Sequence, residues 1–442
     1  MTRTNLEETS LEQNSGDYEL SVVPQSQRKG WLPISLIWIA IGIDLSGTIL
    51  GVQLGEGMPF GQAVWATLLG SVLLGLLAMA CTYVGAASGL TTAMISRTVF
   101  GRVGGILIAM IMAISALGWF GVQVGFFASN AQTAIGELTG VSVPLVALNA
   151  VGGVLMMLTA LWGYRSIEKL SSWAVPLLVI ILFLGIILAA VNHGWDPLFA
   201  PVEPAFTFGG AVSLVMGIFV LGVVVSPDIA RWAKTPKHAM RAGFIGFFIG
   251  NSLIVIVALI LSRLMSEVDL MRIFFGLGMG IAAIVVLTLA QWTTNTNNLY
   301  GSSLSLASVF TKVPRKILTL IAGVLATIVA CLGMYDAFIP FISAMGVFLA
   351  PYGGVYVAEF FVGSRDRFVF DDTGDEPAVR WPAIVSWVLG IAVAIATSDP
   401  AAGLGLGIFT LTSIPALDGL IAAFVVQGIL TRVNRTVSKE LA

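Results

Sequence analysis

The sequence predicts an all-α polytopic membrane protein with twelve transmembrane helices, and three observations predict it. Of 442 residues, 57% are hydrophobic and 10% are charged, where a soluble domain carries about 25% charged residues. Apolar runs recur from Trp31 towards the C-terminus, near the length of about 20 residues that crosses a bilayer as a helix. They are continuously apolar rather than alternating, which argues against a β-barrel. Lastly, nearly all Lys and Arg fall on one side when the spans number twelve, as the positive-inside rule requires.

Taken in order, the spans are expected at 31–54, 61–87, 104–130, 144–164, 171–192, 207–227, 241–263, 271–296, 317–333, 336–357, 382–397 and 414–431. Arg28 and Lys29 precede the first, Arg97 and Arg102 follow the second, and Arg165 and Lys169 follow the fourth. Arg231, Lys234, Lys237 and Arg241 follow the sixth, Lys312, Arg315 and Lys316 the eighth, and Arg365, Arg367 and Arg380 the tenth. Arg432, Arg435 and Lys439 close the chain, and only Arg263 and Arg272 lie on the other side. This places both termini in the cytoplasm of a cell (inner or plasma) membrane protein. Residues 1–30 form a polar, disordered tail, 31–431 one transmembrane domain, and 432–442 a second tail. No cleavable signal peptide is expected. Cys81 and Cys331 fall in spans and read as apolar fillers. The acidic stretch FVFDDTGDEPAVR, Phe368 to Arg380, reads as a solvated linker.

Span one contains GIDLSG, Gly42 to Gly47, and span six contains GIFVLG, Gly217 to Gly222. Glycines interrupting spans at corresponding places in two halves point to broken helices around a transport site. The competing reading is close helix packing through small residues. Asp44 sits inside the first motif, and a carboxylate at this depth costs about 2.5–3.5 kcal/mol. It therefore faces an interior, either as a ligand for a substrate donor or a cation, or as a hydrogen-bond partner for the broken helix.

Span three carries Trp119 and Gln123, four apart and so on one helical face. An aromatic plate beside an amide suits a flat polar heterocycle. In span eight, Thr293, Thr294, Asn295, Thr296, Asn297 and Asn298 are too polar for lipid. Their hydroxyls and carbonyls suit a hard cation such as sodium, although a polar helix end near water would look the same. Asp228 and Arg231, three apart, read as a gate or helix-end cap, and Asp336 and Asp418 as charges at helix starts. Catalysis finds no support, because the two histidines, His193 and His238, lie in loops and no catalytic motif appears. Neither an enzyme nor a nucleic-acid binder is expected.

Six stretches together resemble the nucleobase:cation symporter-1 family, in its cytosine permease-like branch. They are VPQSQRKGWLP, GAASGLTTAMISRTVFG, GWFGVQV, SPDIARWAKTPKHA, WTTNTNNLYGSSL and PYGGVYVAEFF. The resemblance implies the sodium-coupled transporter fold of 5+5 inverted repeats, about 31–192 and 207–357. Helices one and six are broken, and two extra helices follow at 382–431. It implies that Trp119 and Phe219 sandwich the substrate, with Gln123 beside them and Asp44 where hydantoin-transporting members place a glutamine. Gly217, Asn295 and Asn298 complete the expected substrate site. Sodium ligands would be the carbonyls of Ala40 and Ile43 with Ala290, Thr293 and Thr294. Ala116, Ile218 and Leu221 replace polar residues of cytosine permeases, and the added carboxylate favours a donor-rich or cationic solute. The expected protein is a monomeric, sodium-coupled importer of a nucleobase or related planar nitrogenous compound, with no cofactor beyond the coupling ion. Alternatives are proton coupling with Asp44 as carrier, and transport of a cationic amine or guanidine. A channel or a non-transporting sensor is a rival from another class.

Overall fold

The computed structural model describes residues 23–162, 165–310, 312–363, 365–369, 376–400 and 404–440. Fifteen α-helices occur among them. They are α1 (Trp31–Gly42), α2 (Leu45–Gly57), α3 (Phe60–Ser88), α4 (Thr92–Thr139), α5 (Leu145–Trp162), α6 (Arg165–His193), α7 (Phe208–Val224) and α8 (Pro227–Ala230). Then come α9 (Pro236–Met265), α10 (Leu270–Gly276), α11 (Gly280–Val309), α12 (Arg315–Cys331), α13 (Phe338–Val362), α14 (Trp381–Thr397) and α15 (Pro415–Glu440).

Among the described residues, six helices are long and apolar enough to cross a membrane, or seven if α1 and α2, bent by 57°, count as one span. Shorter apolar helices stand at spans four, six and eleven, and α11 and α12 at spans eight and nine. Two apolar cores result among the described residues. One gathers α1, α2, α3, α7, α9 and α13 around Leu50, Leu74, Val215, Leu259 and Tyr352. The other joins α4, α5, α11 and α12 around Phe120, Met156, Leu299 and Ala326.

The structure departs from the sequence reading in five places. Helix one breaks as expected at Ile43 and Asp44, but helix six does not break at its glycines. Helix α7 continues through Gly217 and Gly222 and stops only at Val225, before the single turn of α8. Gly217 is instead a packing site, since a Cβ there would lie 2.3 Å from the Ile342 carbonyl oxygen of α13. Secondly, span eight begins later and runs further than 271–296. Asp269 caps the separate short helix α10, accepting from Met271 N at 2.8 Å and Arg272 N at 3.1 Å. Gly278, at φ 73°, then turns the chain into α11. The polar cluster at 293–298 consequently lies mid-helix rather than at a helix end.

Thirdly, residues 23–30 do not form a disordered tail. Lys29 N donates to Trp232 O at 2.7 Å, and Lys234 N donates back to Lys29 O at 2.9 Å. Residues 1–22 lie outside the described set. Fourthly, the acidic stretch is not wholly a solvated linker. Residues 370–375 lie outside the described set, but Glu376 pairs with Arg97 at 2.5 Å. Arg102 N and Val103 N donate to the carbonyls of Pro377 and Ala378 at 3.0 and 2.8 Å. This segment docks on a kink in α4 at Gly101, whose φ of 85° favours glycine. Fifthly, α15 continues to Glu440 rather than ending near residue 431.

Candidate solute and cation site

The site grows from the break between α1 and α2. Ile43 leaves helical geometry at φ −83° and ψ 61°, and Asp44 is extended at φ −103° and ψ 146°. A broken helix frees carbonyls at its end and N–H groups at its restart. Neither Ala40 O nor Ile43 O accepts a backbone hydrogen bond across the break among the described residues. Asp44 itself is only 8% exposed.

Three side chains converge on the Asp44 carboxylate. Gln123 Nε2, from α4, donates to Oδ1 at 2.9 Å and Oδ2 at 3.0 Å. The Ser46 hydroxyl donates to Oδ2, and the Thr294 hydroxyl of α11 faces the same group. One carboxylate thus joins the two apolar cores at their seam. Gln123 is fully buried, and its Oε1 has no partner among the described residues.

Trp119 lies one turn from Gln123 and is 6% exposed. Its ring packs edge-on against Phe341, with centroids 5.1 Å apart, and Phe338, at 6.4 Å. Phe219, on α7, is similarly buried, and it makes no ring contact with Trp119 among the described residues. The expected cation ligands fall into two groups. Thr293 donates its hydroxyl to Ala290 O at 3.0 Å, leaving its oxygen lone pairs available. Thr294 faces Asp44.

The two asparagines behave differently. Asn295 turns to α4 and α5, donating to Phe120 O at 3.3 Å and Met156 Sδ at 3.2 Å, so its amide is not brought to Asp44. Asn298 is half-buried on α11. Asp228 caps the start of α4 by accepting from Thr92 N at 2.7 Å, which matches the capping reading. Asp418 accepts from Thr412 N at 3.0 Å and holds the loop before α15.

Sequence reasoning passed over Gln291. It is fully buried on α11, and neither of its amide atoms has a partner among the described residues. The available signal was its place three residues before Thr294, which puts the two on neighbouring parts of one helix face.

Three comparisons bear on this arrangement. A family profile described as permease for cytosine/purines, uracil, thiamine and allantoin matches residues 22–414. Cytosine permease of Escherichia coli K12 is 33% identical over 372 residues, which are 84% of this chain and 87% of that protein. Among solved structures, Mhp1 in its inward-facing conformation superposes with a TM-score of 0.78 at 19% identity, covering 93% of this chain and 92% of the other. Mhp1 in a closed conformation with bromovinylhydantoin bound gives 0.75 at 18% identity and 96% of both chains.

Proposed function

Because the chain belongs to the nucleobase:cation symporter-1 family of cytosine and purine permeases, which are membrane transporters and not enzymes, we propose that it imports a nucleobase-like heterocycle by cation-coupled symport. The observation that carries this reading is the Asp44–Gln123 pair at the helix break, with Gln123 Oε1 buried and unpartnered. A buried polar atom without a partner costs about 1–3 kcal/mol. A solute N–H placed there removes that cost, and a second N–H can reach the Asp44 carboxylate. Trp119 on α4 and Phe219 on α7 supply the flat walls. Asp44 rewards donors, so the preferred solute is donor-rich.

The coupling ion is sodium in this proposal. Carbonyls of Ala40 and Ile43 from the break, with Ala290 O and the hydroxyls of Thr293 and Thr294, make a neutral five-oxygen set suited to a hard monovalent cation. Thr294 faces the carboxylate that also holds Gln123, so the cation would sit beside the charge that organises the solute site. A cation there favours ionised Asp44 by direct attraction. Linkage is reciprocal, so sodium raises solute affinity and solute raises sodium affinity by the same factor.

The helices cross the membrane twelve times, with both termini in the cytoplasm of a cell-membrane protein. Spans one to five and six to ten form the inverted repeats, and α14 and α15 are the additions. The monomer works by alternating access between its two packed halves. Purified protein in liposomes tests the reading. Uptake of labelled cytosine, uracil or allantoin should saturate and should accelerate with an inward sodium gradient. Non-saturating flux, or flux indifferent to any imposed cation gradient, would refute symport.

A further inference from the structure

Gln291 is the one fully buried side chain of α11 whose amide oxygen and nitrogen both lack a partner among the described residues. Two contacts fix where it faces. Asn295 Nδ2 reaches Phe120 O, and Ser302 Oγ reaches Ala113 O at 3.3 Å, so α11 and α4 run antiparallel in one register. That register sets Gln291 level with Val124, the neighbour of Gln123. Rotation around α11 is about 100° per residue. Thr294 marks the direction of Asp44, and Asn295 marks the direction of α4. Gln291, one turn earlier, points between the two. It therefore faces the side of α11 on which Gln123 meets Asp44.

We infer that Gln291 is a solute-specificity residue, which pairs its carboxamide with an adjacent donor and acceptor on the solute ring. This rests on the proposed solute site and deepens it. The donor and acceptor inventory decides the class. Gln123 Nε2 is committed to Asp44, which leaves Oε1 as an acceptor only. Asp44, when ionised, also only accepts. Gln291 is the sole group of the three with a free donor, so it alone can read a ring carbonyl or unprotonated ring nitrogen. A carboxamide meets a neighbouring N–H and acceptor on a base edge with two parallel hydrogen bonds, as glutamine does with adenine. The favoured solutes therefore carry a lactam or amidine edge as well as further N–H groups. A plain cationic amine lacks the acceptor and would leave Gln291 unpaired.

The test uses Gln291→Met in full-length purified protein, which keeps the unbranched shape and removes both polar atoms. Cytosine, uracil and allantoin are the probes, read by equilibrium binding and by thermal shift. The expected result is an affinity loss of tenfold or more for whichever probes bind the wild type. The solute-free midpoint should be unchanged or raised, because an unpartnered buried amide has gone. The sodium-induced shift without solute should be unchanged. Wild-type affinity in a folded Gln291→Met protein overturns the inference and leaves the proposed transporter standing. If Gln291→Met does not fold, Gln291→Asn, which keeps the amide one methylene short, should bind more weakly than the wild type. Equal affinity in that variant, or loss of folding in both, makes the amide structural and overturns the inference. If no probe binds the wild type, the proposed solute class falls and this inference falls with it.

Discussion

Replacing Asp44 by asparagine separates the roles open to this carboxylate. In the wild type both of its oxygens accept, from Gln123 Nε2 at 2.9 and 3.0 Å and from the Ser46 hydroxyl. The substitution leaves one acceptor and adds a donor. The new NH2 cannot face Gln123 Nε2. If the Gln123 amide flips so that Oε1 accepts from that NH2, the acceptor offered to the solute is consumed. If the new side chain instead turns its carbonyl oxygen to Nε2 and its NH2 to the Ser46 hydroxyl, Oε1 stays free and only the loss of charge counts. A hydrogen bond to a charged group contributes about 1.5–3 kcal/mol, against about 1 kcal/mol for a neutral one. Losing the charge from one solute contact therefore costs about 0.5–2 kcal/mol, and losing Gln123 Oε1, where its amide flips, about 1 kcal/mol more. With the flip the sum corresponds to about one to two decades in affinity, at about 1.4 kcal/mol per decade.

Stability should move the other way, since a neutral amide is cheaper than a carboxylate at membrane depth. Asp44→Asn protein should therefore express and fold at least as well as the wild type. The assay is equilibrium binding to purified protein, with counterflow exchange in liposomes beside it. If Asp44 serves only as a proton carrier, the variant binds and exchanges solute normally and loses only pH-driven accumulation. Wild-type affinity would refute direct contact between solute and the Asp44 charge.

Three further outcomes follow from the geometry. Thr293→Ala combined with Thr294→Ala should abolish sodium stimulation of uptake and the sodium-induced thermal shift, and an unchanged sodium response would place the cation elsewhere. Trp119→Ala should weaken solute binding and also lower the melting temperature, because deleting a buried aromatic costs about 3–5 kcal/mol; Trp119→Phe, which can keep the edge contact on Phe341, should retain the midpoint and still lose affinity. Gly217→Ala should destabilise the protein by about 1–3 kcal/mol, since its methyl would press on Ile342 O of α13, and an unchanged midpoint would show that α7 and α13 separate at little cost.

The two glycine motifs show what the sequence could and could not disclose. Spacing alone made GIDLSG and GIFVLG equivalent, yet only the first marks a break. The difference lies between the glycines. Unwinding a helix in a membrane strands backbone polar groups, which persist only with partners. In GIDLSG, Asp44 and Ser46 bring polar side chains to the break, and Gln123 and Thr294 approach from other helices. In GIFVLG every residue between the glycines is apolar, so an opened turn would have no local partner, and close packing takes the motif instead. Asp44, Trp119 and Gln123 stood out as candidates because a charge, a ring and an amide in apolar spans each demand an explanation. Gln291 was not, because hydropathy cannot distinguish the buried apolar residues of α10, Ile273 and Phe274, from the start of a transmembrane span. Assigning them to span eight pushed the polar cluster towards a helix end, where unpaired amides meet water. The turn at Gly278 moves that cluster to the middle of α11, where each amide needs a partner from the protein or from the solute.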